Sequence, residues 1–332
     1  MNLSAFAPSD WVINTVTGPV AADEVGYVLA HEHVCVDAHG PAHDSYLDVD
    51  WEATSRHVVA ELGKLRAVGV SLLVDWTAIG MGRNILFLRD VSKRSGVKIA
   101  AATGVGAGAL PPSLSTATTD ELAKVFVDEL RSGIENTPVT ATFIKVTALD
   151  GGPTSAERRV LVAAAQAASM TGAALCVHAL DFAAFEQAFR LVSTDLLDPR
   201  QIVWGHGEFS SGEEHLTALR WGVNLQFDGM SVQRPEPYAL ADPEKVLLDQ
   251  VSALCEAGYG DRVLVSNDAS LARLPDPAYS GNAATLITDF VPLMKARLGA
   301  EATQQILMKN PLRIFGRRVS ARCRRRLPHE AF

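Results

Sequence analysis

Two histidines one residue apart, His31 and His33, close the apolar run Tyr27-Val28-Leu29-Ala30. Side chains alternate along a strand, so residues two apart share a face. His31 and His33 therefore project together, with Glu32 turned away, and make half of a site for Zn²⁺ or a similar first-row metal. A pair of hydrogen-bonded core histidines would read the same way, so the matter rests on whether other strands end in matching groups. Several do. Lys145 lies in Thr142–Thr147, His178 ends Ala173–His178, His206 follows Gln201–Trp204, and Asp268 follows Arg262–Ser266. Four of nine histidines thus fall at strand ends, whereas His39, His43, His57, His215 and His329 fall in loops, helices or the tail.

The elements that must position these groups alternate. Short apolar strands are expected at Tyr27–His31, Ser71–Asp75, Val97–Thr103, Thr142–Thr147, Ala173–His178, Gln201–Trp204, Val223–Asp228 and Arg262–Ser266. Between them lie helical stretches at Trp51–Val68, Asn84–Ser95, Phe182–Val192 and Pro243–Ala257, with capping boxes at Thr118-x-x-Glu121, Thr154-x-x-Glu157 and Ser211-x-x-Glu214. Two closing helices are expected at Ala283–Leu298 and Ala302–Phe315. Eight strand–helix alternations without a composition break predict a single-domain (β/α)₈ TIM barrel over residues 1–332. Residues 1–24 form a lead-in and 317–332 a basic tail. An open doubly wound sheet is the rival, but no dinucleotide fingerprint follows the first strand. The run Gly104-Val105-Gly106-Ala107-Gly108 lacks phosphate-loop spacing and reads as a tight turn on the active face. In a barrel of this kind the strand ends build the active site.

Lys145 is the unusual member. An ammonium deep in an apolar strand costs several kcal/mol or loses its proton. A neutral lysine can form a Schiff base with a carbonyl substrate. It can also add CO₂ to give a carbamate, an anionic two-oxygen ligand able to bridge two metals. The histidine cluster favours the carbamate, since a Schiff-base site does not need four imidazoles. A structural lysine paired with an acid remains the plain alternative.

Bulk properties narrow the class. A net charge of −8 gives no footprint for nucleic acid. Cys35, Cys176, Cys255 and Cys323 are far apart and read as reduced thiols. Met1–Val20 lacks a basic region followed by an apolar core, so no signal peptide is expected. No apolar run reaches the roughly 18 residues of a membrane span. The expectation is a cytoplasmic protein acting on a small molecule, with no nucleic-acid or membrane partner.

With these residues in place, the sequence resembles the phosphotriesterase family of the amidohydrolase superfamily. The resemblance runs from Val12-Ile13-Asn14-Thr15-Val16-Thr17-Gly18-Pro19 to Asn310-Pro311. It is carried by His31-Glu32-His33, Ala102-Thr103-Gly104, Ile144-Lys145-Val146, Val177-His178, Gly205-His206 and Val265-Ser266-Asn267-Asp268. It implies a binuclear metal centre. In that scheme His31, His33 and Asp268 hold the more buried ion, His178 and His206 hold the more exposed one, and carboxylated Lys145 bridges both together with a hydroxide. Zn²⁺ is the first expectation, and Mn²⁺, Co²⁺ or Fe²⁺ suit the same ligands. Two such ions supply hydroxide at neutral pH, and Asp268 is placed to pass a proton to the leaving group. The resemblance also implies a homodimer, the common state in that family.

The match departs from the family in three places. Its phosphotriesterases carry an acidic residue three positions after the fourth histidine and a histidine after the seventh strand, where this chain has Phe209 and Gly229. Its lactonases usually carry an aromatic residue two positions after Ala-Thr-Gly, where this chain has Gly106, so a different or wider pocket wall is expected. The stretch Leu225-Gln226-Phe227-Asp228-Gly229 looks more like the sugar-lactonase branch. There Arg234, Arg273 and Tyr279 could hold a substrate phosphate or carboxylate. The expected activity is hydrolysis of a lactone or related carboxylic ester. Phosphotriester hydrolysis is the second reading and N-acyl amide hydrolysis the third. A Schiff-base aldolase using Lys145 is the rival from another class, and a non-catalytic barrel would be expected to have lost some of the six ligands.

Overall fold

The computed structural model describes residues 11–106, 110–149, 151–193, 197–230, 238, 240–276 and 282–318. Eight parallel strands form one sheet: β1 (Tyr27–Glu32), β2 (Val70–Asp75), β3 (Lys98–Gly104), β4 (Phe143–Thr147), β5 (Ala174–His178), β6 (Ile202–Gly205), β7 (Asn224–Phe227) and β8 (Val263–Val265). They pair in sequence order from β1 to β8. Helices cover the outside, so the chain is a (β/α)₈ TIM barrel. All eight expected strands are present, with ends moved by at most one residue.

The helices begin and end where the side chains dictate. Thr118, Thr154 and Ser211 each form the full reciprocal capping box with the glutamate three residues on. The two closing helices meet at Gly299, whose φ of 85° breaks the run Val291–Gln304. Asn310, fully buried, donates from Nδ2 to the carbonyls of Gly260 and Val263 at 2.8 and 2.6 Å and ties the last helix to the base of β8. Among the described residues no helix is long and apolar enough to cross a membrane. Cys35, Cys176 and Cys255 are free thiols. Cys323 lies outside the described residues.

Two apolar layers result. Val28, Ala30, Leu72, Val74, Ala100, Ala102, Phe143 and Cys176 fill the barrel interior. Leu29, Leu73, Ile99, Ile144 and Leu175 face outward against the helices. This alternation alone would send His31 outward with Leu29. The pairing of β1 with β2 shifts between Leu29 and Glu32: Leu29 faces Leu73 and Glu32 faces Asp75, so β1 advances three residues while β2 advances two. A bulge of this kind re-aims the side chains beyond it. The His31 ring then stacks on Trp76, itself packed among the interior residues, with centroids 3.7 Å apart.

The barrel closes between β1 and β8 through Glu32. Its Oε1 accepts from the Ser266 hydroxyl at 2.8 Å and the Asn267 amide at 3.0 Å, and its Oε2 accepts from the Ala269 amide at 2.7 Å. Backbone bonds from Asp268 to the His31 carbonyl and from His33 to the Ala269 carbonyl extend the seam. Replacing Glu32 by Leu leaves three buried donors without an acceptor, each worth about 1–3 kcal/mol. Glu32→Leu is expected to lower the free energy of unfolding by about 3 kcal/mol or more, measured by urea denaturation.

Candidate metal centre

His31, His33 and Asp268 come together at the seam. His31 Nε2 and His33 Nε2 each stand 3.4 Å from Asp268 Oδ1. The other nitrogen of each ring is already engaged. His31 Nδ1 bonds Asp228 Oδ2 at 2.6 Å, and His33 Nδ1 bonds Thr77 Oγ1 at 2.9 Å. Thr77 in turn donates to Asp75 Oδ1 at 2.7 Å. Both Nε2 atoms are thereby turned toward the carboxylate. Orientation of a ligating imidazole through its second nitrogen is the usual support of a metal ligand.

His178, at the end of β5, and His206, just after β6, form the facing half. His206 Nε2 lies 2.7 Å from His178 Nδ1, and His206 Nδ1 forms an ion pair with Asp228 Oδ1 at 2.5 Å. Lys145, in β4 and 2% exposed, donates from Nζ to Thr147 Oγ1 at 3.2 Å and Met81 Sδ at 3.3 Å. Neither hydrogen-bond partner is a carboxylate, and the nearby Asp268 carboxylate favours the charged amine against burial. His206 and Asp268 have φ values of 71° and 53°. Non-glycine residues held in the left-handed region concentrate at functional sites, where surrounding contacts hold them in place.

Electrostatics follow from burial. Burial lowers His31 to about 4 in spite of Asp228 and Asp268 beside it. Burial also opposes charge on His206, but Asp228 outweighs it and the imidazole rises to about 10. Burial opposes ionisation of Asp268 as well, yet His31 and His33 hold it below the usual carboxylate range. Lys145 is brought down to about 8, chiefly by burial. Around the cluster, burial raises Glu32 to about 8 and pushes Asp75 and Glu208 upward.

The residues present fit a metal centre on two counts. Donors at the corners of a tetrahedron with bonds of about 2.0–2.2 Å stand about 3.4 Å apart, which is the spacing of both Nε2 atoms from Asp268 Oδ1. The donor set is also of the right kind: a neutral imidazole, His31, beside an ionised carboxylate, Asp268, is a mix that first-row divalent cations take. Two groups of donors within reach of a single ion occur among the described residues: His31, His33, Asp268, and His31, His206, Asp228.

All six strand-end residues of the sequence reading therefore lie at one end of the barrel. Arg273, one of the expected substrate contacts, is exposed, on the short strand Arg273–Leu274 paired with Val36–Asp37. Arg234 and Tyr279 lie outside the described residues. His57 and His215 are structural: their Nε2 atoms bond the carbonyls of Leu271 at 3.0 Å and Gly207 at 2.7 Å. Sequence reasoning assigned no role to Asp75, Thr77 and Asp228. The signal was present, since β2 ends at Asp75 and Asp228 follows β7 directly, but what these carboxylates touch depends on rings that other strands bring to them.

The vacant glycine positions are filled from other loops. A Cβ on Gly106 would lie 1.9 Å from Met81 Sδ, so Met81 occupies the place of the family's aromatic residue and the wall there is different, not wider. A Cβ on Gly229 would lie 2.5 Å from Glu208 Oε1. Glu208 is buried, accepts from the Asp228 amide at 3.1 Å and stands 3.7 Å from His206 Nδ1. Phe209 packs edge-on against Tyr238, with centroids 5.3 Å apart.

A β/α barrel with a histidine–carboxylate cluster at its strand ends defines a class of metal-dependent hydrolases. The sequence profile of the phosphotriesterase family matches residues 11–315, and the chain belongs to that family. It is 28% identical over 298 residues to the phosphotriesterase homology protein of Escherichia coli (strain K12), covering 88% of this chain and 99% of that one. It is 25% identical over 309 residues to an aryldialkylphosphatase of Saccharolobus solfataricus, covering 89% and 96%. A mutant of a PTE-like lactonase from Deinococcus radiodurans superposes with a TM-score of 0.81 at 28% identity, covering 91% and 99%.

Thr77→Val removes the hydroxyl that orients His33. It is expected to weaken metal retention about 10–100-fold with little change in fold, measured by metal analysis after dialysis against graded chelator.

Proposed function

We propose that this hydrolase opens a lactone or cleaves a related carboxylic ester at a two-metal centre. In this reading His31, His33 and Asp268 would hold one divalent ion, His178 and His206 would hold the second, and carboxylated Lys145 would serve as a further anionic ligand. The ions, Zn²⁺ first among the candidates, would supply an acidified water and polarise the substrate oxygen. The chain's own part is to position and to move a proton. The Asp268 carboxylate takes the proton of the attacking water and delivers it to the leaving oxygen. Trp76 and the supporting carboxylates fix the imidazoles, and Met81 contacts the Lys145 amine.

The observation that carries the ester reading is the filling of the relay positions by Phe209 and Gly229. An alkoxide leaving from a lactone is a strong base and accepts the proton from Asp268, which resets the site. An aryl phosphotriester departs as a weakly basic phenolate, and the proton must then be exported by other groups. This chain has a phenyl ring at one of those positions and, at the other, a glycine whose space is taken by the buried Glu208 carboxylate. The phosphotriester reading is kept as second because of the aryldialkylphosphatase relative. Aldolase chemistry at Lys145 leaves the histidine–carboxylate cluster without a use.

Metal-loaded protein is expected to release acid from lactones faster than it releases nitrophenolate from a phosphotriester, with both activities lost in Lys145→Ala. Phosphotriester preference in a stopped-assay comparison would reverse the assignment. Loading has its own pH dependence. Lys145, at about 8, is mostly charged below that pH and cannot add CO₂, and His206, at about 10, must shed a proton to bind. Metal retained after dialysis is expected to rise from pH 6 to pH 9 and to rise further with added bicarbonate. No response to bicarbonate would remove the carbamate.

A further inference from the structure

Asp228 follows β7 and has no exposed surface. One oxygen, Oδ2, accepts from His31 Nδ1 at 2.6 Å, and the other, Oδ1, lies 2.5 Å from His206 Nδ1. Gln226 Nε2 donates to Oδ2 at 3.1 Å, and the Asp228 amide donates to Glu208 Oε2 at 3.1 Å. The two imidazoles belong to different halves of the centre, and their ring centroids are 5.3 Å apart. We propose that Asp228 is a positioning residue that couples the two halves, so that occupancy of one is felt at the other.

A supporting carboxylate ordinarily orients one ligating histidine. Here a single planar group engages two, His31 through a hydrogen bond and His206 through an ion pair. Its oxygens cannot move independently, so a turn that follows one imidazole withdraws the acceptor from the other. An empty half leaves its imidazole free to tilt, and the tilt is passed through the carboxylate plane to the ring opposite. Filling the first half fixes the plane and leaves the second imidazole already aimed. Binding at either half then lowers the cost of binding at the other, with the reciprocity that any such coupling requires. Gln226 and the Glu208–amide contact hold Asp228 from below, so the plane has a defined resting position.

The inference rests on the two-metal reading, and its test is metal binding rather than turnover. Full-length chain stripped by chelator is titrated with Zn²⁺ in bicarbonate buffer, followed by calorimetry and by metal analysis. The wild-type chain is expected to take up two equivalents in one steep transition. Asp228→Asn keeps the volume but leaves one acceptor oxygen and sets an NH₂ group against the other imidazole. It is expected to split uptake into two steps, the weaker about 10–100-fold below the stronger. Gln226→Met keeps Asp228 and removes its neutral donor, so the same split is expected in smaller measure even if Asp228→Asn folds poorly. Equal weakening of both equivalents with the steep transition intact overturns the proposal, as does two-step uptake in the wild type. A third equivalent lost in Asp228→Asn would make Asp228 a ligand and also overturn it. Fewer than two equivalents in the wild type removes the two-metal reading and the coupling together.

Discussion

Glu32 accepts three hydrogen bonds across the seam between β1 and β8, from the Ser266 hydroxyl and the Asn267 and Ala269 amides. β8 is three residues long, so its own ladder cannot fix the segment that follows. That segment carries Asp268 in a left-handed conformation. Donors on both sides of Asp268 end on one carboxylate, which sets where Asp268 Oδ1 stands relative to His31 and His33. Burial raises the Glu32 carboxyl while the three donors pull it down, so the group is held in an environment that only the closed barrel provides.

The same device recurs around the cluster. Asp75 collects the Val34 amide, the Thr77 amide and the Thr77 hydroxyl, and through Thr77 it orients His33. Asp228 collects His31 and His206. Each of these buried acids is unfavourable alone and each directs a donor atom upward. The arrangement is one of opposed terms: desolvation acts against every charge, and the spacing of the groups supplies the partner.

Much of this was legible in the sequence because the barrel has a simple period. Strand runs, caps and terminal histidines follow local rules, and the glycine stop at Gly299 falls where the two closing helices were expected to divide. The inward placement of His31 was reached by a rule that does not hold along β1. Two-residue alternation from Val28 and Ala30 puts His31 outside; the bulge between Leu29 and Glu32 brings it in. A bulge is fixed by the pairing of two strands, and no single stretch of sequence contains it. The support from Asp75, Thr77 and Asp228 escaped for a related reason, since its meaning depends on which ring lies across the barrel.

The glycines show where reading by position stops. Gly106 and Gly229 look like vacancies when set against the family, yet Met81 and Glu208 enter both spaces from loops elsewhere in the chain. At Gly106 an apolar wall is exchanged for another, a thioether that also contacts the Lys145 amine. At Gly229 the exchange is of a different kind. The incoming carboxylate is buried and accepts from the Asp228 amide, so it braces the segment that carries Asp228. Both spaces are filled, one by a thioether that carries no proton and the other by a carboxylate that is buried. A site so altered retains the means to activate water and has to return its proton through the substrate. That requirement selects for a leaving group basic enough to accept the proton, and it constrains the chemistry more tightly than the shape of the pocket does.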